Sequence, residues 1–291
     1  MASGPSVGFI GLGTMGQPMA LNLRKSGVPL TVHNRTAAPM EPLLAAGAQG
    51  ADSPAAAAEG KDILFINVAD DAALQAVLFG ARGAFETLKP ASTVVDLGTT
   101  SMATTRASAA RLAEKGVAWV DAPVSGGEAG ARAATLSIMV GGPADSFARV
   151  LPLLETMGKN IVHVGETGAG QVAKACNQIV VSATLMGVAE AITFARREGV
   201  DPAKVRQALL GGFAYSRILE VHGQRMLDEA FAPGFKARLH LKDLNLVLSE
   251  AESLGLPLAA TEQVRRCMDA LVADGAGELD SSALIHALHT H

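Results

Sequence analysis

Val7-Gly8-Phe9-Ile10-Gly11-Leu12-Gly13-Thr14-Met15-Gly16 is the stretch on which the reading of this chain turns. Four apolar or small residues with strand character run directly into a GxGxxG string, and a helical pattern over 15–25 follows. The glycine string alone is weak evidence, because glycines are common and the spacing recurs by chance. Between a strand and a helix it has the context that its mechanism needs. Gly11 makes the tight turn, Gly13 lets the backbone approach a pyrophosphate, and Gly16 lets the helix pack on the strand. The unpaired N–H groups of the helix start then face the phosphates. The loop residues Leu12, Thr14 and Met15 belong to the same binding turn.

The next strand, Leu30–His33, ends in Asn34-Arg35-Thr36. A fold that prefers NAD carries Asp or Glu about 20 residues beyond the glycines, on the ribose hydroxyls. Asn34 holds that place, 18 residues past Gly16, and brings no charge. Without a carboxylate to repel a 2′-phosphate, Arg35 is free to pair with one, and Thr36 adds a hydroxyl donor. NADP(H) is favoured, with NAD(H) left open.

Outward from this motif, strand runs at 7–10, 30–33, 63–67, 93–97 and 118–120 alternate with helical stretches at 15–25, 40–46, 71–78 and 104–115. Such alternation predicts a doubly wound parallel sheet of Rossmann type. Further strands are expected at 136–140 and 161–164, around a helix at 146–157. After Gly165 the pattern becomes helical throughout. A single helix of about 30 residues over 168–197 would span roughly 45 Å. Helices at 202–210, 216–230, 239–254, 261–274 and 281–289 follow. The expectation is an α/β domain over 1–165 and an all-helical domain over 166–291, joined by the long helix.

The 291 residues suffice for two cores, and 49% of them are apolar. A formal net charge of -4 gives no electrostatic footprint for nucleic acid or an anionic membrane. One Trp and one Tyr exclude a broad aromatic platform, so the expected partner is a small molecule. Two isolated cysteines, Cys176 and Cys267, read as buried thiols of a reducing compartment. The N-terminus has no basic region followed by an apolar core, which argues against a signal peptide and for a cytoplasmic protein. The apolar run 179–195 contains Ser182, Thr184, Glu190 and Thr193, so it predicts a buried helix, one packed against another subunit, rather than a membrane span. A homodimer or homotetramer is expected.

Two further segments carry chemistry. Asp121-Ala122-Pro123-Val124-Ser125-Gly126-Gly127 offers a hydroxyl and two flexible backbone amides, donors suited to a carboxylate; by itself it reads as a loop. In Gly168-Ala169-Gly170-Gln171-Val172-Ala173-Lys174-Ala175-Cys176-Asn177-Gln178, the residues Lys174, Asn177 and Gln178 share one helix face. A lysine among apolar residues needs a reason, and desolvation makes its amine a usable proton donor and acceptor near neutrality.

With these motifs in view, the chain resembles the β-hydroxyacid dehydrogenase family over nearly its whole length. The resemblance rests on GFIGLGTMG, DAPVSGG, GAGQVAKACNQ and LHLKDL (239–244), four motifs in order. It implies a 6-phosphogluconate dehydrogenase-like fold, with Lys174 as acid/base catalyst and with Ser125, Gly126 and Gly127 on the substrate carboxylate. It further places Asn177, and beside it Gln178, at the lysine and substrate, and Val68, Ala69, Thr99 and Lys242 at the dinucleotide. Two departures stand out: Asn177-Gln178 where many members have two asparagines, and Val68-Ala69 where Leu-Pro is usual. The first, with GGFAYSRIL (211–219), is most similar to the tartronate semialdehyde reductase group. Members of that group often have an acidic residue where Asn34 stands.

The seven histidines show no metal spacing, and His289 and His291, at the very end, are expected to be disordered; no metal is predicted. Cys176 points about 200° away from Lys174 around the helix and reads as packing. Asp70-Asp71 reads as a loop and helix cap. A catalytically silent cofactor-binding module is disfavoured by the intact lysine and Ser-Gly-Gly. Imine reductases of the same architecture usually lack a lysine at this position.

Overall fold

In a computed structural model, residues 4–288 are described; His289 and His291 lie outside them. The strands are β1 (Val7–Ile10), β2 (Leu30–His33), β3 (Gln49–Gly50), β4 (Ile63–Ile66), β5 (Thr93–Asp96), β6 (Ala118–Asp121), β7 (Val124–Ser125), β8 (Leu136–Gly141) and β9 (Gly158–Gly165). The helices among and after them are α1 (Gly16–Lys25), α2 (Glu41–Ala45), α3 (Pro54–Ala58), α4 (Asp71–Phe79), α5 (Met102–Ala113), α6 (Gly127–Ala133), α7 (Ala144–Leu154) and α8 (Ala169–Arg197). There follow α9 (Pro202–Leu210), α10 (Arg217–Leu227), α11 (Ala237–Ser253), α12 (Ala259–Leu271) and a closing 3-10 turn, Ser281–Leu288. The chain divides into two compact units, one ending at Lys174 and the other beginning at Ala175. The division falls inside α8.

The first unit is built on one sheet of order β3-β2-β1-β4-β5-β6-β8-β7, with β9 paired to β8. β3 through β6 are parallel, and β8 turns antiparallel to β6 and β7. β1, β4 and β5 are buried at every residue because helices cover both faces of the sheet. Their side chains alternate between two cores: Phe9, Phe65 and Val95 enter one, and Ile10, Leu64, Ile66 and Val94 enter the other. The order 3-2-1-4-5-6 reverses between β1 and β4, and in such sheets the ligand crevice opens there, beyond the carboxyl ends of the strands.

Four elements escape the sequence pattern. β3 is two exposed residues, and β7 lies in the stretch that reads as a loop. α3 and α6 are single short helices in alanine- and glycine-rich sequence without periodicity. β9 begins at Gly158, earlier than the apolar run suggests, because β8 pairs with it throughout. At the other end α12 stops at Leu271, and Gly275 (φ 85°) breaks the helical path.

The second unit has its own core, in which Leu185, Val188, Ile192, Leu219, Leu244, Val264 and Met268 meet. α8 is long and apolar enough by length and composition to cross a membrane, but almost half of its most apolar stretch is buried within the protein. One fully buried carboxylate ties this unit together. Asp280 accepts the amides of Gly234 and Phe235 at 3.0 Å each, the Ser282 hydroxyl at 2.6 Å and Arg225 Nη1 at 2.9 Å. Burial alone would push this carboxyl up, but His222, Ser282 and the Phe235 amide outweigh it and hold it well below the usual carboxylate range. A depressed carboxylate stabilises the fold above its unfolded pKa, and that contribution is lost as the pH falls. Asp280→Ala is expected to lower the unfolding free energy at pH 7 by about 3–5 kcal/mol, the usual cost of removing one partner from a buried pair. The deficit should narrow below about pH 4. Urea denaturation at both pH values checks this; equal stability at pH 7 refutes it.

Candidate active site

The glycine loop begins where β1 ends. A Cβ on Gly11 (φ 92°) would stand 2.2 Å from the Asn67 carbonyl oxygen, and one on Gly16 would stand 2.0 Å from the Gly11 carbonyl oxygen. Both positions exclude a side chain, so α1 can start hard against β1 and β4. Gly13 differs: a Cβ there would meet nothing within 4 Å and would project into open space. α1 has no side-chain cap; its Gln17 amide donates to the Gly13 carbonyl at 3.1 Å, its Met19 amide donates to the Met15 carbonyl at 3.3 Å, and Pro18 has no N–H, so any amide offered to a ligand comes from the glycine loop itself. This cradle, which a Cβ would fill, suits the pyrophosphate of a dinucleotide. Thr14 is exposed and Met15 half-buried beside it.

Leu12 and Asn34 stand closer together than the sequence suggests. Leu12 is buried, and its amide donates to Asn34 Oδ1 at 2.9 Å. Asn34 Nδ2 in turn donates to the carbonyl and hydroxyl oxygens of Thr36, each at 3.1 Å. The Leu12 amide is therefore spent inside the protein rather than offered to a phosphate. Asn34 fastens the glycine loop to the turn after β2, on which Arg35 and Thr36 are exposed.

The loops after β4 and β5 are stitched by carboxylates. Asp70 caps α4 through the Ala73 amide at 2.8 Å. Asp71 takes the Ser101 amide at 2.9 Å and the Ser101 hydroxyl at 2.6 Å. Val68 is half-buried and Ala69 exposed between these strands' ends, with Thr99 half-buried on the β5 loop. Asp96, fully buried at the end of β5, accepts the Gly98 amide at 2.9 Å and the Thr100 hydroxyl at 3.0 Å.

β6 ends in Asp121, which carries the start of α8. Its carboxylate accepts the amides of Gly168 at 2.7 Å and Gln171 at 3.0 Å. Burial pushes this carboxyl up, against the pull of those amides. Lys174, one turn later, is 7% exposed and donates to the Val124 carbonyl at 3.0 Å. That carbonyl precedes Ser125, half-buried in β7, and Gly126 and Gly127, at the start of α6. The first unit thus brings Lys174 to the Ser-Gly-Gly segment.

Asn177, Gln178 and Lys242 belong to the second unit. Asn177 Nδ2 donates to Gln178 Oε1 at 2.8 Å, and Gln178 Nε2 donates to Asp243 Oδ2 at 2.7 Å. Lys242 Nζ pairs with Asp243 Oδ1 at 2.9 Å. Asp243, buried at the centre of this chain of contacts, carries no local signal in the sequence, because charged and polar residues recur all along α11. The cysteines also differ from expectation, since Cys176 is exposed and Cys267 half-buried rather than both being buried.

Residues 6–165 match the NAD binding domain of 6-phosphogluconate dehydrogenase, and residues 168–288 match the NAD-binding domain of NADP-dependent 3-hydroxyisobutyrate dehydrogenase. The chain is 48% identical to 2-hydroxy-3-oxopropionate reductase of Escherichia coli (strain K12), over 97% of its own length and 96% of that protein. It is 39% identical to 3-hydroxyisobutyrate dehydrogenase of Pseudomonas aeruginosa, over 87% and 88%. A Mycobacterium tuberculosis 3-hydroxyisobutyrate dehydrogenase structure with L-serine superposes with a TM-score of 0.90 at 28% identity, covering 99% and 100% of the two chains. A glycine cradle at the head of a 3-2-1-4-5-6 sheet, a buried lysine over Ser-Gly-Gly, and relatives that match nearly end to end lead to one conclusion: this chain is an NAD(P)-dependent oxidoreductase and belongs to the β-hydroxyacid dehydrogenase family.

Proposed function

We propose that this enzyme reduces tartronate semialdehyde to glycerate with NADP(H), using Lys174 as the general acid. The observation that carries the chemistry is Lys174 itself: a buried amine, one turn into α8, beside the backbone of the Ser-Gly-Gly segment. A nicotinamide dinucleotide, when bound, would supply the hydride for the carbonyl carbon. Lys174 Nζ gives its proton to the oxygen that becomes the new hydroxyl, and in oxidation the neutral amine takes that proton back. The Ser125 hydroxyl and the amides of Gly126 and Gly127 hold the substrate carboxylate, with Asn177 and Gln178 completing the polar set. Gly11, Gly13, Thr14, Met15 and Gly16, with Val68, Ala69, Thr99 and Lys242, serve the dinucleotide, Leu12 and Asn34 hold that loop in place, and Arg35 and Thr36 serve the 2′-phosphate. We read 1–165 as the cofactor domain and 166–291 as the helical domain for substrate and assembly, although the substrate-holding Ser125, Gly126 and Gly127 belong to the first and Lys242 to the second.

The 48% identity to a 2-hydroxy-3-oxopropionate reductase supports the choice of substrate, and so does the donor set. A three-carbon molecule with a carboxylate, a 2-hydroxyl and an aldehyde engages each donor. The methyl of methylmalonate semialdehyde would leave one donor unpaired, a cost of about 1–3 kcal/mol in a buried site. We further place the enzyme in the cytoplasm and assign a homodimer or homotetramer, the assembly because α8 leaves Val180 and Phe194 about two-thirds exposed.

Three outcomes are expected. Lys174→Ala should lower kcat by about 10²–10⁴-fold, the range for lost acid–base catalysis, with NADPH affinity nearly unchanged; near-normal turnover by the folded variant would end the assignment. Arg35→Ala should weaken NADPH by about 10- to 100-fold, the scale of a lost charge-assisted contact, and leave NADH alone. Fluorescence titration reads this, and a wild-type preference for NADH would contradict it. Across a panel of small semialdehydes, kcat/KM for tartronate semialdehyde should exceed that for methylmalonate or succinic semialdehyde by about tenfold or more. Equal activity on either competitor rejects the substrate and leaves the family intact.

A further inference from the structure

We propose that Gln171 is a positioning residue that fixes the loop after β5 against the helix carrying Lys174, and so sets the reach of the lysine to the reacting oxygen; the proposal rests on Lys174 as the proton-transfer group. Gln171 is 2% exposed, and its whole carboxamide is committed to one short loop. Nε2 donates to the Gly98 carbonyl at 2.9 Å and to the Thr100 hydroxyl at 3.1 Å, and Oε1 accepts the Thr100 amide at 3.3 Å. Asp96 grips the same loop from below through the Gly98 amide and the Thr100 hydroxyl. Thr99, half-buried, is thereby held between two pinned neighbours.

None of these side-chain bonds is needed to form the helix. The start of α8 is already capped through the backbone, by Asp121 on the amides of Gly168 and Gln171. The carboxamide therefore serves the loop alone. That loop leaves the carboxyl end of a central parallel strand, the edge at which a dinucleotide lies in sheets of this order. Gln171 and Lys174 are three residues apart on one helix face, a rise of about 4.5 Å. A single amide thus joins the cofactor edge of the sheet to the lysine one turn away. Misplacing a reacting group by about 1 Å can cost about 10²-fold in rate without loss of binding. An apolar residue at 171 would fill the space and lose the registration.

The test uses the full-length enzyme with NADPH and whichever semialdehyde it turns over best. Gln171→Leu removes the carboxamide at similar volume, Thr100→Val removes the hydroxyl, and Thr100→Ser restores it. We expect the first two to lower the single-turnover rate of NADPH oxidation by about 10- to 100-fold. Their NADPH Kd should stay within about threefold, and Thr100→Ser should recover the rate to within about threefold. A purely structural role would lower melting temperature and leave the rate per folded molecule unchanged. Should Gln171→Leu not fold, Gln171→Met, which also lacks the carboxamide, decides the matter, because Thr100→Val removes the bond to Asp96 as well. Rates within about twofold of wild type in the folded variants, or a rate loss that Thr100→Ser does not recover, overturn the proposal. Lys174→Ala, run alongside, separates the two readings. If it is slow while Gln171→Leu and Thr100→Val are normal, only the positioning role falls; if it is itself near wild type, both fall.

Discussion

The hold of the Asp121 carboxylate on the first amides of α8 is the constraint from which the site follows. A helix leaves its first N–H groups without intrahelical partners, and a buried helix start must find them elsewhere. Here the partner comes from the end of β6, some 50 residues earlier in the chain, as two bonds of 2.7 and 3.0 Å. Gly170 makes the approach possible: a Cβ there would stand 2.5 Å from the carbonyl oxygens of both Asp121 and Met139. The cost is a buried carboxyl whose pKa burial raises. The helix dipole and the two amides offset that cost by favouring the charged form. With the helix start fixed, the position of Lys174 relative to Val124 is a matter of one helical turn.

The same logic runs along the carboxyl edge of the sheet. The ends of β4, β5 and β6 each carry a polar side chain that fastens a neighbouring segment. Asn67, after β4, donates to the Leu97 carbonyl at 3.2 Å. Asp96 folds the β5 loop back on itself, and Asp71 fastens it to α4. These bonds fix the loops after β4 and β5 to one another and to α4, and a loop already held in place pays less to be ordered on binding.

Much of this could be read in the sequence, and the boundary of what could not is physical. Strand–helix alternation predicts the parallel sheet because its strands are buried on both faces and read as continuous apolar runs. The GxGxxG turn and Lys174 are legible because each is an anomaly in its own neighbourhood: glycines where a helix starts, and a charge on an apolar helix. Gln171, Asp121 and Asp243 carry no such local signal. Their meaning lies in partners 50 to 73 residues distant, such as Gly98 for Gln171 and Gln178 for Asp243. Short elements such as α6 and β7 are hidden for a related reason, since tertiary pairing rather than periodicity makes them.

Asn34 shows how a residue read for one property can be held by another. The sequence singles it out for lacking the charge of an acidic residue, which bears on a 2′-phosphate. In the folded chain its carboxamide acts in both directions, accepting from the Leu12 amide and donating to Thr36. An aspartate in its place could keep the first bond but not the second, because an ionised carboxylate has no proton to give. The turn carrying Arg35 would then lose the tie at its far end just as the repulsive charge appeared beside it. Asparagine at this position is thus both uncharged and a two-way tie, accepting from the glycine loop and donating to the turn that carries Arg35 and Thr36.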